Sequence, residues 1–458
     1  MSLATTPLAP EARTVSPQRT ARHLTGHRGA PLGPSPFAAT RPGVITAIGF
    51  GLASLIWLAA GELLPGGRWL VVHLFTLGVL TPLIWTFSQH FAARFTGTAD
   101  LLPRRGVTRS LACLLTVAIV VMLTGRALGI HVLLAIGSLG IMAIVGSNLL
   151  VLRRLRRAAT TSRFTWVVRR YEHAHLAFLV AAGLGGALGA GWIPGVMFGS
   201  VREAHIHLTV LGWAGLTVLA TLVAFGPALL RVRMEPGADT RAAAALQVAT
   251  FGLAVAAGGF IVTGLGDGVG AGPAALMTVG GLAAYGYGVV VVAGPLLRAS
   301  RRSDRSPLRW AVMGALVWFV VAIAVDIVLV ATGTPSWSHG MSAALLIGML
   351  AQLVLAVLLY VGPMLRGRDL AARDRLLARV ERFARSRTGT LNLGVLLLVG
   401  GQVLGRLTDL TTQPVTRAGW ILVSAAVVAH LVVLLWPLGD SDPDRVRSST
   451  VSRYRTAA

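Results

Sequence analysis

Charge is scarce in this chain, and what there is has largely one sign. Only 13% of the 458 residues are charged, about half the share found in a soluble globular domain. In contrast, 54% are hydrophobic and the mean hydropathy is +0.72. These values exclude an ordinary soluble protein and leave a polytopic membrane protein. Lysine is absent: the 41 basic residues are all arginine, against 17 acidic ones, for a formal net charge of +24. That bias fits a GC-rich, bacterial genome. Strong positive charge often signals nucleic acid, but these arginines fall in short loops between apolar runs, where they set orientation in a bilayer. The expected partner is the lipid bilayer, not nucleic acid. The single cysteine, Cys113, sits in an apolar run and excludes a disulfide framework or a Cys-ligated cluster. Residues 1–42 are rich in Pro, Ala, Thr and Arg and lack the apolar core of a signal peptide. They read as a disordered cytoplasmic tail.

What is abundant is apolar sequence of membrane-crossing length. Stretches of roughly 20 residues, enough to span the hydrocarbon core, cover 43–64, 69–92, 108–126, 128–152, 173–193, 205–229, 241–265, 271–297, 308–332, 339–365, 389–408 and 416–437. The expected fold is all-α, with about twelve transmembrane helices in a domain over 43–437 and a cytoplasmic tail over 438–458. Arginine supports that number. With the N-terminus inside, Arg94, Arg104, Arg105 and Arg109, then the run from Arg153 to Arg170, then Arg298 to Arg309, and the dense segment 366–387, all fall in inner loops. Outer loops hold isolated cases: Arg68, Arg126, Arg202, Arg406 and Arg417. Both termini are then cytoplasmic, in a bacterial cytoplasmic membrane. Residues 369–382 read as an amphipathic helix on the inner surface. The run Gly183-Leu184-Gly185-Gly186-Ala187-Leu188-Gly189 reads as close helix packing.

The histidines carry an internal period. His73 opens the second helix, His205 and His207 the sixth and His339 the tenth, four helices apart each time. His73 and His207 are each followed by Gly after four residues, at Gly78 and Gly212, and the sixth and tenth helices share Gly226-Pro227 and Gly362-Pro363. The pattern suggests three four-helix units around a pseudo-threefold axis.

A helix advances about 100° per residue, so His205 and His207 point to opposite sides of one helix and can serve two centres at one depth. Neutral imidazole is a common ligand for haem iron and copper. With His73 and His339 at matching depth, these four are candidate metal ligands, because several costly ionisable groups at one level mark a site. His131 lies near the same level and reads as interfacial. His90, His173, His175 and His430 fall toward the inner side as a candidate second site. For the pair His173/His175, beside Arg169 and Arg170, an interfacial cluster is the equal alternative.

Three acidic residues lie near the outer histidines. Glu62 ends the first helix, Glu203 precedes the histidine pair and Asp326 lies within the ninth helix. They are candidates for a proton path, with a structural carboxylate as the alternative for Asp326. Arg68, Arg126 and Arg202 each precede a histidine by a few residues. They fit either as partners of haem propionates or as anchors to lipid headgroups.

The segment His205-Ile206-His207 followed by Gly212-Trp213 resembles the His-x-His helix of the haem-copper oxidase subunit I superfamily, its nitric-oxide-reductase branches in particular. In texture the chain is closest to NnrS-type haem-copper membrane proteins and to the membrane domains fused to actinobacterial multicopper oxidases. His73-Leu74-Phe75-Thr76-Leu77-Gly78 with Ser88-Gln89-His90-Phe91, and the segment from His207 to Leu222, carry that likeness. The resemblance implies haem, or copper, and a role in redox, nitric oxide or copper handling. A periplasmic copper protein or electron donor would be the partner. Departures are plain: the His-x-His stands on the sixth helix rather than the tenth, and His-Pro-Glu-Val-Tyr and adjacent His-His are missing. An oxygen-reducing binuclear centre is therefore not expected. Two other readings stand beside it, a twelve-helix proton-coupled or metal transporter and a membrane scaffold for a periplasmic copper enzyme.

Overall fold

The computed structural model describes residues 37–435 apart from 162, 266–270, 303–307, 334–338, 368 and 409–410. The expected tails therefore lie outside the described residues over 1–36 and 436–458, as do the side chains of Glu62 and His339. The described residues form helices and no strand. In chain order these are α1 (Ala38–Ala60), α2 (Gly67–Thr96), α3 (Arg105–Leu128), α4 (His131–Arg157), α5 (Thr165–Gly189), α6 (Gly195–Leu230), α7 (Ala238–Leu265), α8 (Ala271–Arg301), α9 (Arg309–Ala331), α10 (residues 339–366), α11 (Leu370–Glu381), α12 (Ala384–Leu407) and α13 (Gln413–Leu435). The α-helical part of α1 begins at Arg41, ahead of residue 43, with Pro42 in the first turn, where a missing N–H and a fixed φ cost nothing.

Among the described residues, 11 helices are long and apolar enough to cross a membrane. The sequence leads one to expect twelve, and α5 is the difference. Its first turns carry Arg169, Arg170, Glu172, His173 and His175, which dilute an otherwise apolar helix. Packing shows what α5 does. Glu172 near its start meets Arg156 at the end of α4 at 2.5 Å, and Gly189 at its far end accepts a hydrogen bond from His131 at the start of α4 at 3.2 Å. α5 thus runs antiparallel along all of α4, itself one of the eleven. At 1.5 Å per residue it rises roughly 37 Å, enough for the hydrocarbon core. It has the length of a twelfth crossing.

The expected repeat is visible in helix geometry. Three helices widen from α to π winding, over Leu74–Leu80 in α2, Leu208–Gly215 in α6 and Ala343–Ala351 in α10. In each case the preceding helix packs on the widened turn at a glycine: Phe50 on Gly78, Ala177 on Gly212 and Trp318 on Gly348. The two helices that follow pack along each other, α3 with α4, α7 with α8, and α12 with α13. Without a water-driven force between helices, such close backbone approach is what holds apolar helices together. The chain is three four-helix units in sequence, α1–α4, α5–α8, and α9, α10, α12 and α13.

The second helix of each unit forms the centre. In their most apolar windows α2, α6 and α10 bury 67%, 72% and 67% of residues, against 22–44% for the other spans. At one end the three meet through aromatic rings, Phe91 to Phe225 at 5.0 Å and Phe225 to Tyr360 at 5.3 Å. At the other end Arg68 of α2 donates to Ser342 Oγ of α10 at 3.0 Å, closing the third unit onto the first. α11 lies across the arginine-rich end. Asp369 caps it by accepting from Ala372 N at 2.7 Å, and its buried Ala372, Leu376 and Val380 face the helices below, as the amphipathic pattern predicts.

Candidate functional site

The two histidines of the His-x-His motif do point to different helices. His207 is fully buried. Its Nδ1 donates to Glu203 O of the preceding turn at 2.8 Å, and its Nε2 lies 3.0 Å from Asp326 Oδ2 on α9. Either the imidazole gives its second proton to the carboxylate or the carboxyl gives its own to the ring. The pair is neutral overall in both arrangements, which is why it can sit inside a bilayer. Asp326 Oδ1 is buried and, among the described residues, without a hydrogen-bond partner. The Glu203 carboxylate stands 4.0 Å from His207 Nδ1 and 3.7 Å from Arg202 Nη1. Glu203, His207 and Asp326 therefore form a line from the helix end inward.

His205 faces α5. Its Nδ1 lies 2.7 Å from Ala181 O, so the ring donates there, across helices rather than to its own preceding turn. Gly185 makes this approach feasible. A Cβ at that position would lie 2.5 Å from His205 Cε1 and 2.8 Å from its Nδ1, closer than atoms pack. The run from Gly183 to Gly189, expected only to tighten helix packing, holds the seat of the His205 ring.

His73 follows the His207 pattern in its own unit. Its Nδ1 donates to Trp69 O at 2.8 Å, and its ring stacks on Trp69 with centroids 3.8 Å apart. Arg126 of α3 lies over the other part of the same assembly, 5.5 Å from the Trp69 ring centroid. His73 and His205 lie within electrostatic range of one another, as do Arg126 and His73, and Arg202 with both Arg68 and His205. Because Nδ1 of both rings carries the proton, Nε2 of both presents a lone pair. Among the described residues neither Nε2 has a hydrogen-bond partner. An imidazole with one nitrogen held by a carbonyl and the other open is the arrangement of a metal ligand. His73 and His205 fit that description, and His207, with both nitrogens engaged, does not.

No family model and no curated protein matches this chain.

The histidines toward the arginine-rich end behave differently. His175 is buried; its Nδ1 donates to Tyr171 O at 2.7 Å and its Nε2 accepts from Asn148 Nδ2 at 2.8 Å. Asn148 also reaches Ser88 Oγ and Trp85 O at 3.2 and 3.3 Å, making a polar knot between α2, α4 and α5. His90 packs between Phe37 and Phe91. His173 has a buried Nδ1 without a partner, and His430 donates from Nδ1 to Ala426 O of its own helix. Among the described residues no three His, Cys, Asp or Glu side chains converge as metal ligands, at this level or the outer one. The residues that complete the cluster around His73 and His205 and that the sequence did not mark are Trp69, Ala181 and Ser342, while Gly185 read there only as close helix packing. A stacking Trp four residues before His73 was the one readable signal.

Proposed function

We propose that this polytopic membrane protein holds a transition-metal centre, haem iron or copper, between His73 of α2 and His205 of α6, and serves in redox, nitric oxide or copper handling. The observation that carries the reading is the shared state of the two rings, each with Nδ1–H committed to a backbone carbonyl and Nε2 open. Bound there, the metal would supply electron transfer or gas binding. The protein's own part is orientation and charge. Trp69 fixes the plane of the His73 ring, Gly185 and the Ala181 carbonyl fix that of His205, and Arg68, Arg126 and Arg202 supply positive charge for carboxylates such as haem propionates. His339 would be a further ligand from the third unit. The arginine-rich end, from Arg153 to Arg170 and around α11, supports a cytoplasmic placement for that end. The site then faces outward, in reach of a periplasmic copper protein or electron donor.

The test is the absorption spectrum, oxidised and reduced, with metal analysis, of protein purified from a haem-supplied host. A Soret band or bound copper that disappears in His73→Ala and His205→Ala supports the reading. A colourless, metal-free wild-type protein sinks it.

A further inference from the structure

We propose that Gly185 is the residue that opens the seam between the first and second units to a ligand, where Asp326 closes the equivalent seam between the second and third. The inference deepens the metal reading above and rests on it for the identity of the ligand.

The repeat supplies the register. Phe50, Ala177 and Trp318 are equivalent, because each packs on the glycine of the widened turn in its own unit. His73 and His207 are equivalent, because each immediately precedes that turn and donates from Nδ1 to its own preceding turn. An independent pair of bonds confirms the alignment. Ser54 Oγ donates to Val71 O at 3.2 Å in the first unit, and the same two positions in the second unit are Ala181 and His205, joined at 2.7 Å.

Counting on equally from Phe50, Ala177 and Trp318 reaches Leu58, Gly185 and Asp326. His207 of the second unit meets Asp326 of the third at 3.0 Å. By the same relation His73 of the first unit stands toward position 185 of the second, where there is no side chain at all. One seam is thus filled by a carboxylate that occupies the imidazole Nε2. The other has lost that carboxylate, leaving the His73 Nε2 open and admitting the His205 ring. At the remaining seam Ser342 immediately precedes the widened turn of α10, and Arg68 of the first unit bonds its hydroxyl at 3.0 Å. Three comparable places have become a histidine–aspartate pair, a ligand site and an arginine–serine closure.

The experiment has two arms. In the first, metal-free protein is treated with diethyl pyrocarbonate, which acylates accessible neutral imidazole nitrogen, and modified histidines are located by peptide mass analysis. His73 and His205 are expected to react and His207 to be protected; in Gly185→Asp, His73 labelling is expected to fall at least fivefold. In the second, haemin and, separately, Cu+ are titrated, and Gly185→Asp is expected to bind at least tenfold more weakly than wild type. Wild-type labelling of His73 in Gly185→Asp overturns the proposal, as does wild-type affinity for a metal that the wild-type protein binds. If wild type takes up neither haemin nor Cu+, the metal reading fails and the labelling arm alone decides the role of Gly185. Should Gly185→Asp not fold, Gly185→Ala serves in both arms, with altered His205 labelling expected and unchanged labelling overturning the inference.

Discussion

His207 Nε2 and Asp326 Oδ2 face each other at 3.0 Å between α6 and α9, with both residues buried. This contact joins the second unit to the third, and its value lies in keeping both partners. Removing one leaves the other buried and unpaired, at a cost of about 3–5 kcal/mol, whereas apolar replacement of both is close to neutral. Asp326→Ala is expected to lower the thermal stability of the purified protein by that amount. The double variant His207→Leu/Asp326→Leu should lose far less. Additive losses in a double-mutant cycle would remove the pair from this account.

The widened turn of α10 makes a second prediction. A Cβ on Gly348 would lie 2.6 Å from Trp318 Cγ, and overpacking of this kind costs about 1–3 kcal/mol. Gly348→Ala is expected to destabilise by that amount, and Gly348→Ala combined with Trp318→Leu should recover most of it. Differential scanning calorimetry in detergent reads both.

A π turn holds one more residue between its bonded groups than an α turn. Deleting Val210 from the widened part of α6 lets that part close as α-helix while the flanks keep their faces. Deleting Leu219, in regular helix, turns everything after it by about 100° and pulls Phe225 away from Phe91 and Tyr360. The first deletion is expected to leave more folded protein than the second, measured as monodisperse protein recovered at equal expression.

Outside the membrane, Glu235 is held by Arg298 through two bonds of 2.8 and 3.0 Å. The Arg298 guanidinium keeps its carboxyl below the usual value of 4.5. A carboxylate whose folded pKa is depressed stabilises the folded state above its unfolded pKa and loses that contribution as pH falls through the folded one. The melting-temperature gap between wild type and Glu235→Gln is therefore expected to be present at neutral pH and to close as the pH falls below 4.5. It should shrink in high salt as well, because the pair is exposed.

Much of this was legible in the chain, and the reasons for what was not are physical. The opposed directions of His205 and His207 follow from helix geometry alone, and the structure shows them meeting Ala181 and Asp326 on different helices. The three-unit order was visible in the spacing of His73, His207 and His339, although in the third unit Ser342, three residues after His339, is what immediately precedes the widened turn. What those rings meet was not, because Asp326 and Ala181 reach them only through tertiary packing. The π turns left no trace in hydropathy, which registers burial and not hydrogen-bond register. The stretch 173–193 was legible as one of the twelve, and only its composition, with Glu172, His173 and His175 crowding one end, keeps α5 from the eleven most apolar helices. Gly185 was hidden among small residues whose usual role is to let helices touch, and only a ring placed against it distinguishes it from its neighbours.

The bond from Arg68 to Ser342 has a consequence for how the molecule is made. The two residues join the first unit to the last, and Ser342 leaves the ribosome only after the first two units are complete. Until then the N-terminal end of α2, with Trp69 and His73 on it, has no third wall. The surroundings of His73 are thus finished late in biosynthesis, and a truncated or stalled chain exposes them.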